Sequence, residues 1–229
     1  MQHHSSQLSN LDAAFMLIPN ELESYDIVNF LVYGNLNMSL VGFQPLLSLK
    51  ERATASKISS KRHRNNFVFR RTLLRKLLGS IMNIPAKDVH FDAQAHKPYV
   101  INGPFFSHSN KPDCLIYSFS TSTKLGVDIE PIEDGIDVDG IAKLFFSSSE
   151  KQAIAAASEN EKNQSFIKIW TIREAITKCL GKSWVSSTDY EKQKIHSWTI
   201  DSYQIAIASQ KKLSSLKTFI YRVDYNGKK

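Results

Sequence analysis

Cysteine is scarce: Cys114 and Cys179 are the only two in 229 residues. Two cysteines cannot build a disulfide framework, and their spacing matches no metal-ligand pattern. A reducing compartment, the cytoplasm, is therefore expected. No apolar run reaches the length of about 18 residues that a membrane span needs, so no membrane association is expected. The opening MQHHSSQLSN has no basic stretch leading into an apolar one, so no secretory signal is expected either. No linker, low-complexity tract or internal repeat breaks the chain.

What is present is ordinary globular composition, 42% hydrophobic and 22% charged. The length suits one large domain or two small ones, with a core that needs no covalent staples. The net charge of +7 is unevenly spread. Residues 50–76 hold ten Lys/Arg against one acid, the footprint of a phosphate-bearing partner. Residues 126–140, GVDIEPIEDGIDVDG, hold six carboxylates and no base. A basic segment with an acidic cluster suits a phosphate ligand and a divalent metal better than nucleic acid, whose backbone the acids would repel.

Periodicity gives the elements. Residues 1–24 read as loosely structured. YDIVNFLVYGNL (25–36) reads as a strand. From about Pro45 the pattern turns helical, with Phe67, Leu74, Leu77, Leu78 and Ile81 on one stripe and a stop at Asn83 and Pro85. CLIYSFS and LGVDIE read as neighbouring strands of a hairpin. Ser147 with Glu150 three residues on is a capping-box signature. A further helix is expected over 163–180, opened by Asn163 and closed by Gly181. IHSWTI, YQIAIAS and FIYRVDY read as late, antiparallel strands. The class is α+β.

Three segments could bear chemistry. In GVDIE, strand alternation puts Asp128 and Glu130 on one face. Two carboxylates there suit a hard cation such as Mg²⁺, and a solvated strand edge is the plain alternative. In WTIREAITK, Glu174 and Lys178 are four apart on one helical face, which could equally be a surface ion pair. Arg173 projects into the apolar stripe beside them and must find an anion or snorkel out. FFSHSN, with KPY before it, offers Ser107 and His108 as phosphate donors, or is simply a turn. His3 and His4 have no evident role.

The order KPY, F-x-SHS, G-V-D-I-E, F-F-S-x-x-E and W-x-x-R-E-A-x-x-K resembles the 4′-phosphopantetheinyl transferases. It matches the larger single-chain type that activates peptide, siderophore and polyketide synthetases. The likeness runs from about Glu51 to Gly181.

That resemblance implies two similar α/β halves, residues 1–115 with the basic helix and phosphate loop, and 116–229 with the carboxylates and catalytic helix. It implies a monomer that transfers 4′-phosphopantetheine from coenzyme A to a serine of an apo acyl or peptidyl carrier protein, releasing 3′,5′-ADP. Mg²⁺, or Mn²⁺ in its place, would be the cofactor. Asp128, Glu130 and Glu174 would be metal ligands. Glu150 would be the general base, and Lys178 would hold the pyrophosphate and stabilise the departing oxygen. Lys97, Pro98, Ser107 and His108 would contact coenzyme A, and Arg52, Lys57 and Arg62 its 3′-phosphate.

Two departures stand out. The usual Lys before Glu-Ala is Arg173, which keeps the charge but not the ammonium geometry. The Gly expected after the helix is Ser183. Two rival readings remain at this point, a nucleic-acid binder using residues 50–76 and a non-catalytic binder of coenzyme A or carrier protein. The intact acids and Lys178 weigh against the second. For the first, only Phe67 and Phe69 lie near the basic helix as base readers, at spacings that suit a core.

Overall fold

The structure, a computed structural model, describes residues 1–34, 36, 46–92 and 99–223. In chain order its elements are β1 (Gln2–Gln7), α1 (Leu11–Ser24), β2 (Ile27–Gly34), α2 (Leu49–Ser56), α3 (Lys61–Met82), β3 (Phe91–Asp92), β4 (Tyr99–Val100), β5 (Phe105–Lys111) and β6 (Cys114–Ser120). There follow β7 (Leu125–Pro131), α4 (Val138–Phe145), α5 (Ser148–Ala155), α6 (Glu159–Leu180), α7 (Ser187–Lys192), β8 (Lys194–Ile200), β9 (Tyr203–Ser209) and β10 (Ser215–Val223). The class is α+β, as the sequence indicates.

The chain forms two units. One comprises Met1–Phe106, Pro112–Ser122 and the segment from Leu213 onward; the other comprises Ser107–Lys111 and Thr123–Lys212. A single division near residue 115 is thus corrected. The last strand returns to the first unit because its ladder is there: β10 pairs in parallel with both β1 and β2.

In the first unit four strands run in the order β1-β10-β2-β6. β2 reads IVNFLV and is buried throughout that stretch, as a strand with neighbours on both edges should be. α1 and α3 cover the sheet with Ala14, Ile18, Phe69, Leu73, Leu74, Leu77 and Leu78, which pack with Phe30, Tyr117 and Phe219. Asn10 caps α1 by accepting from the Ala13 amide at 2.9 Å. Ser60 starts α3, and Asn83 ends it in the left-handed conformation. Residues 1–24 are therefore not loose. β1 escapes a periodicity reading because QHHSSQ is polar, and its ladder with β10 needs only backbone. β10 is parallel to its neighbours, against the antiparallel reading.

In the second unit the sheet order is β7-β9-β8, all antiparallel. β7 pairs with β9, so CLIYSFS and LGVDIE are not partners in a hairpin; their short connection joins strands of different sheets. α6 lies on this sheet through Ala175, Ile176 and Cys179 against Ala206 and Ala208. The approach is close because of Gly126. A Cβ there would stand 2.1 Å from the Ala175 carbonyl oxygen and 2.3 Å from the Cys179 amide nitrogen, so only glycine lets helix and strand meet. α6 opens four residues earlier than expected, after Ser158, and ends at Gly181 with φ +67°. α4 and α7 are additional. Asp137 caps α4 by accepting from Gly140 at 3.0 Å, and the Asp189 carboxylate accepts from the Ser186 amide at 2.9 Å at the start of α7.

Candidate functional site

Gly126, Asp128 and Glu130 alternate along β7 and share the face that meets α6. Asp128 is only 3% exposed. Its Oδ1 accepts from Lys178 Nζ at 2.6 Å and from Ser109 Oγ at 2.7 Å. Its Oδ2 is buried without a hydrogen-bond partner. A buried carboxylate oxygen left this way is costly unless something answers it. Lys178 therefore reaches across to the strand, and the alternative of a surface pair with Glu174 on its own helix is not what forms.

Glu130 forms an ion pair with Lys111. Burial first, and then the Asp128 charge, push the Glu130 carboxyl above its ordinary range against the pull of Lys111. Burial and the Asp128 charge likewise raise the Glu174 carboxyl, with Lys178 and Lys111 drawing it back. Three carboxylates thus feel one another, with two ammonium groups among them. Among the described residues no three His, Cys, Asp or Glu side chains stand together as a ready-made metal cage. Mg²⁺ seldom needs one, since it is held by one or two carboxylates together with substrate phosphates and water. The hard oxygen donors and the orphaned Oδ2 of Asp128 fit such an ion.

FFSHSN is a strand, not a turn or loop. Ser107 is buried, and its Oγ accepts from the Val127 amide at 3.1 Å. It thus fastens β5 to β7, and the segment expected as a turn-like loop is a strand. His108, half-buried, alternates to the other face. Ser109, which sequence reasoning passed over, is the residue that meets Asp128; its signal was the two-residue spacing from Ser107.

Glu150 is enclosed. It closes a capping box with Ser147. Its Oε2 accepts from the Ser147 amide at 2.7 Å and from Arg173 at 2.9 Å, and its Oε1 accepts from the Tyr190 hydroxyl at 2.6 Å. Burial works against the ionised form, but Tyr190, Ser147 and Arg173 outweigh it and hold the carboxyl below its usual range. Three donors thus hold the carboxylate that the resemblance casts as the general base. Arg173, 8% exposed, here finds the anion its position demanded. Glu150, Ser147, Tyr190 and Arg173 line a pocket of about 540 Å³ together with Phe146, Trp184 and Val185.

Arg52, Lys57 and Arg62 are exposed on α2, at its end and on α3. Arg71 and Arg75 from the same basic run turn inward to Glu51 at 2.9 and 2.7 Å, so part of that charge is structural. Lys97 and Pro98 lie outside the described residues. No described helix is long and apolar enough to cross a membrane.

Comparison with known proteins gives concordant matches. A sequence model of the 4′-phosphopantetheinyl transferase superfamily matches residues 124–226. The 4′-phosphopantetheinyl transferase HetI of Nostoc sp. is 27% identical over 141 residues, 59% of this chain and 60% of that protein. The 4′-phosphopantetheinyl transferase gsp of Aneurinibacillus migulanus is 28% identical over 173 residues, 75% of this chain and 66% of that protein. The 4′-phosphopantetheinyl transferase Sfp of Bacillus subtilis is 25% identical over 157 residues, 67% and 69%. The chain spans 60% and 66% of the length of the first two.

Proposed function

The chain belongs to the 4′-phosphopantetheinyl transferase superfamily, and from that premise we propose that it transfers 4′-phosphopantetheine from coenzyme A to a carrier-protein serine. The products would be holo carrier protein and 3′,5′-ADP. The observation that supports this most is Asp128: buried, held on one oxygen by Lys178 and Ser109, and unanswered on the other.

Asp128 and Glu174 would hold Mg²⁺, with Glu130 beside them. When bound, the ion supplies charge neutralisation at the pyrophosphate and at the departing oxygen. The chain's own residues do the rest. Lys178 is positioned by Asp128 and presents an ammonium to the pyrophosphate. Ser109 fixes the Asp128 carboxylate in one orientation. The exposed cations Arg52, Lys57 and Arg62 are the proposed partners of the 3′-phosphate, and His108 of another coenzyme A phosphate.

Glu150 is assigned to holding the loop before α5 against α6 through Arg173. The serine proton would then pass to solvent as the serine oxygen–phosphorus bond forms and the bond to 3′,5′-ADP breaks, with positioning and electrostatics carrying the catalysis. The protein would work in the cytoplasm as a monomer on apo acyl or peptidyl carrier proteins. The test is to incubate the protein with coenzyme A, Mg²⁺ and an apo carrier protein and to read the carrier's intact mass. A carrier that never gains phosphopantetheine would refute the proposal.

A further inference from the structure

Lys111 is not among the residues that motif or resemblance singled out. It ends β5 and pairs with Glu130, two residues beyond Asp128 on the shared face of β7. Lys178 pairs with Asp128 on the same face. The two ammonium groups thus divide the acid cluster between them, one on each β7 carboxylate, while Glu174 stands opposite on α6.

We propose that Lys111 is a resident counter-cation of the acid site, which a divalent ion must displace from Glu130 in order to bind. The inference rests on the proposed metal-dependent transfer. Three carboxylates and two ammonium groups leave one net negative charge, so the metal-free cluster is nearly neutral and the fold tolerates its burial. A divalent cation reverses the sign of the cluster, and a lysine on Glu130 then faces repulsion. Lys178 is anchored by a side chain that is 4% exposed. The two lysine side chains are alike in exposure, 25% and 28%, but Lys111 is at a strand end and its partner Glu130 is the less buried carboxylate, 15% exposed against 4% for Asp128, so Lys111 is the one that can swing out at lower cost. With Lys111 swung out, the three carboxylates, Lys178 and the divalent ion sum to zero, and the freed ammonium is available to phosphate oxygens as the next ligands. Metal alone therefore binds weakly, because each binding event breaks an ion pair.

Mn²⁺ binding measured by electron paramagnetic resonance, without coenzyme A, tests this on the full chain. Lys111→Met should bind Mn²⁺ roughly three- to fivefold more tightly than the parent, the span of a weak, partly exposed ion pair. Lys111→Arg should behave like the parent. Lys111→Gln, which drops the charge but keeps a hydrogen-bond donor, should follow Lys111→Met and serves if Met disturbs the strand. Asp128→Asn should lose Mn²⁺ binding. If uncharged residues at 111 leave the affinity unchanged or weaker while Asp128→Asn abolishes it, the counter-cation role is overturned and the metal site stands. If Asp128→Asn binds Mn²⁺ like the parent, the acid site is not a metal site and both readings fall.

Discussion

Asp128 Oδ1 and Lys178 Nζ stand 2.6 Å apart although fifty residues separate them in the chain. The contact exists because α6 lies directly on β7, and α6 can do so only because residue 126 has no Cβ. One glycine thus sets the distance between the strand carboxylates and the helix residues that complete the site.

Gly126→Val should therefore destabilise the unit. Its Cβ would fall inside backbone atoms of α6, which cannot yield as a side-chain tip can. Overpacking of this kind costs roughly 1–3 kcal/mol and at times more. Urea denaturation should show a lower midpoint with an unchanged slope, and Lys178-dependent activity should fall with it.

Asp128→Asn keeps shape and one acceptor for Ser109 but removes the charge. We expect transfer to fall at least ~10²-fold, the scale set by losing a group that stabilises developing charge. Circular dichroism should be unchanged. Retained activity, or activity indifferent to EDTA, would contradict the assignment.

Glu150→Gln separates holding from proton transfer. An amide can still close the capping box, but it leaves Arg173 without its anion in a site where that side chain is 10% exposed. Stability should drop by about 2–4 kcal/mol. Below the melting range kcat should fall less than tenfold, with no recovery at high pH. A kcat loss of ~10²-fold with unchanged stability would restore the general-base role.

Legibility in the sequence divides along physical lines. GVDIE was readable because strand alternation alone places Asp128 and Glu130 together. The demand of Arg173 for an anion was readable because burial of a lone cation is costly, but its partner, Glu150, is set by tertiary packing. β1 was hidden because a polar strand can be held by backbone ladders. α4 was hidden because Asp and Gly residues mask a short capped helix. The hairpin assignment failed at β6 and β7 because closeness in sequence does not decide which sheet a strand joins. Ser109 lies within FFSHSN, yet only the contact of β5 with Asp128 on β7 reveals its use.

Glu51 gives an acid-side stability prediction. Burial raises its carboxyl, but the Ser48 amide, Arg71 and Arg75 together bring it below the ordinary 4.5. A depressed folded value means that its stabilisation is full above about pH 4.5 and is lost as pH falls through the lower folded value. The Glu51→Gln variant should be less stable at neutral pH and should show a flatter loss of stability below pH 4.5. Parallel acid limbs for parent and variant, followed by tryptophan and tyrosine fluorescence, would contradict this.

The most direct measurement is the intact mass of an apo carrier protein after incubation with this chain, coenzyme A and Mg²⁺. The account predicts one added phosphopantetheine per carrier, blocked by EDTA and absent with Asp128→Asn. It also predicts slower transfer from dephospho-coenzyme A. An unmodified carrier beside folded protein, or modification that Asp128→Asn sustains in full, would contradict it.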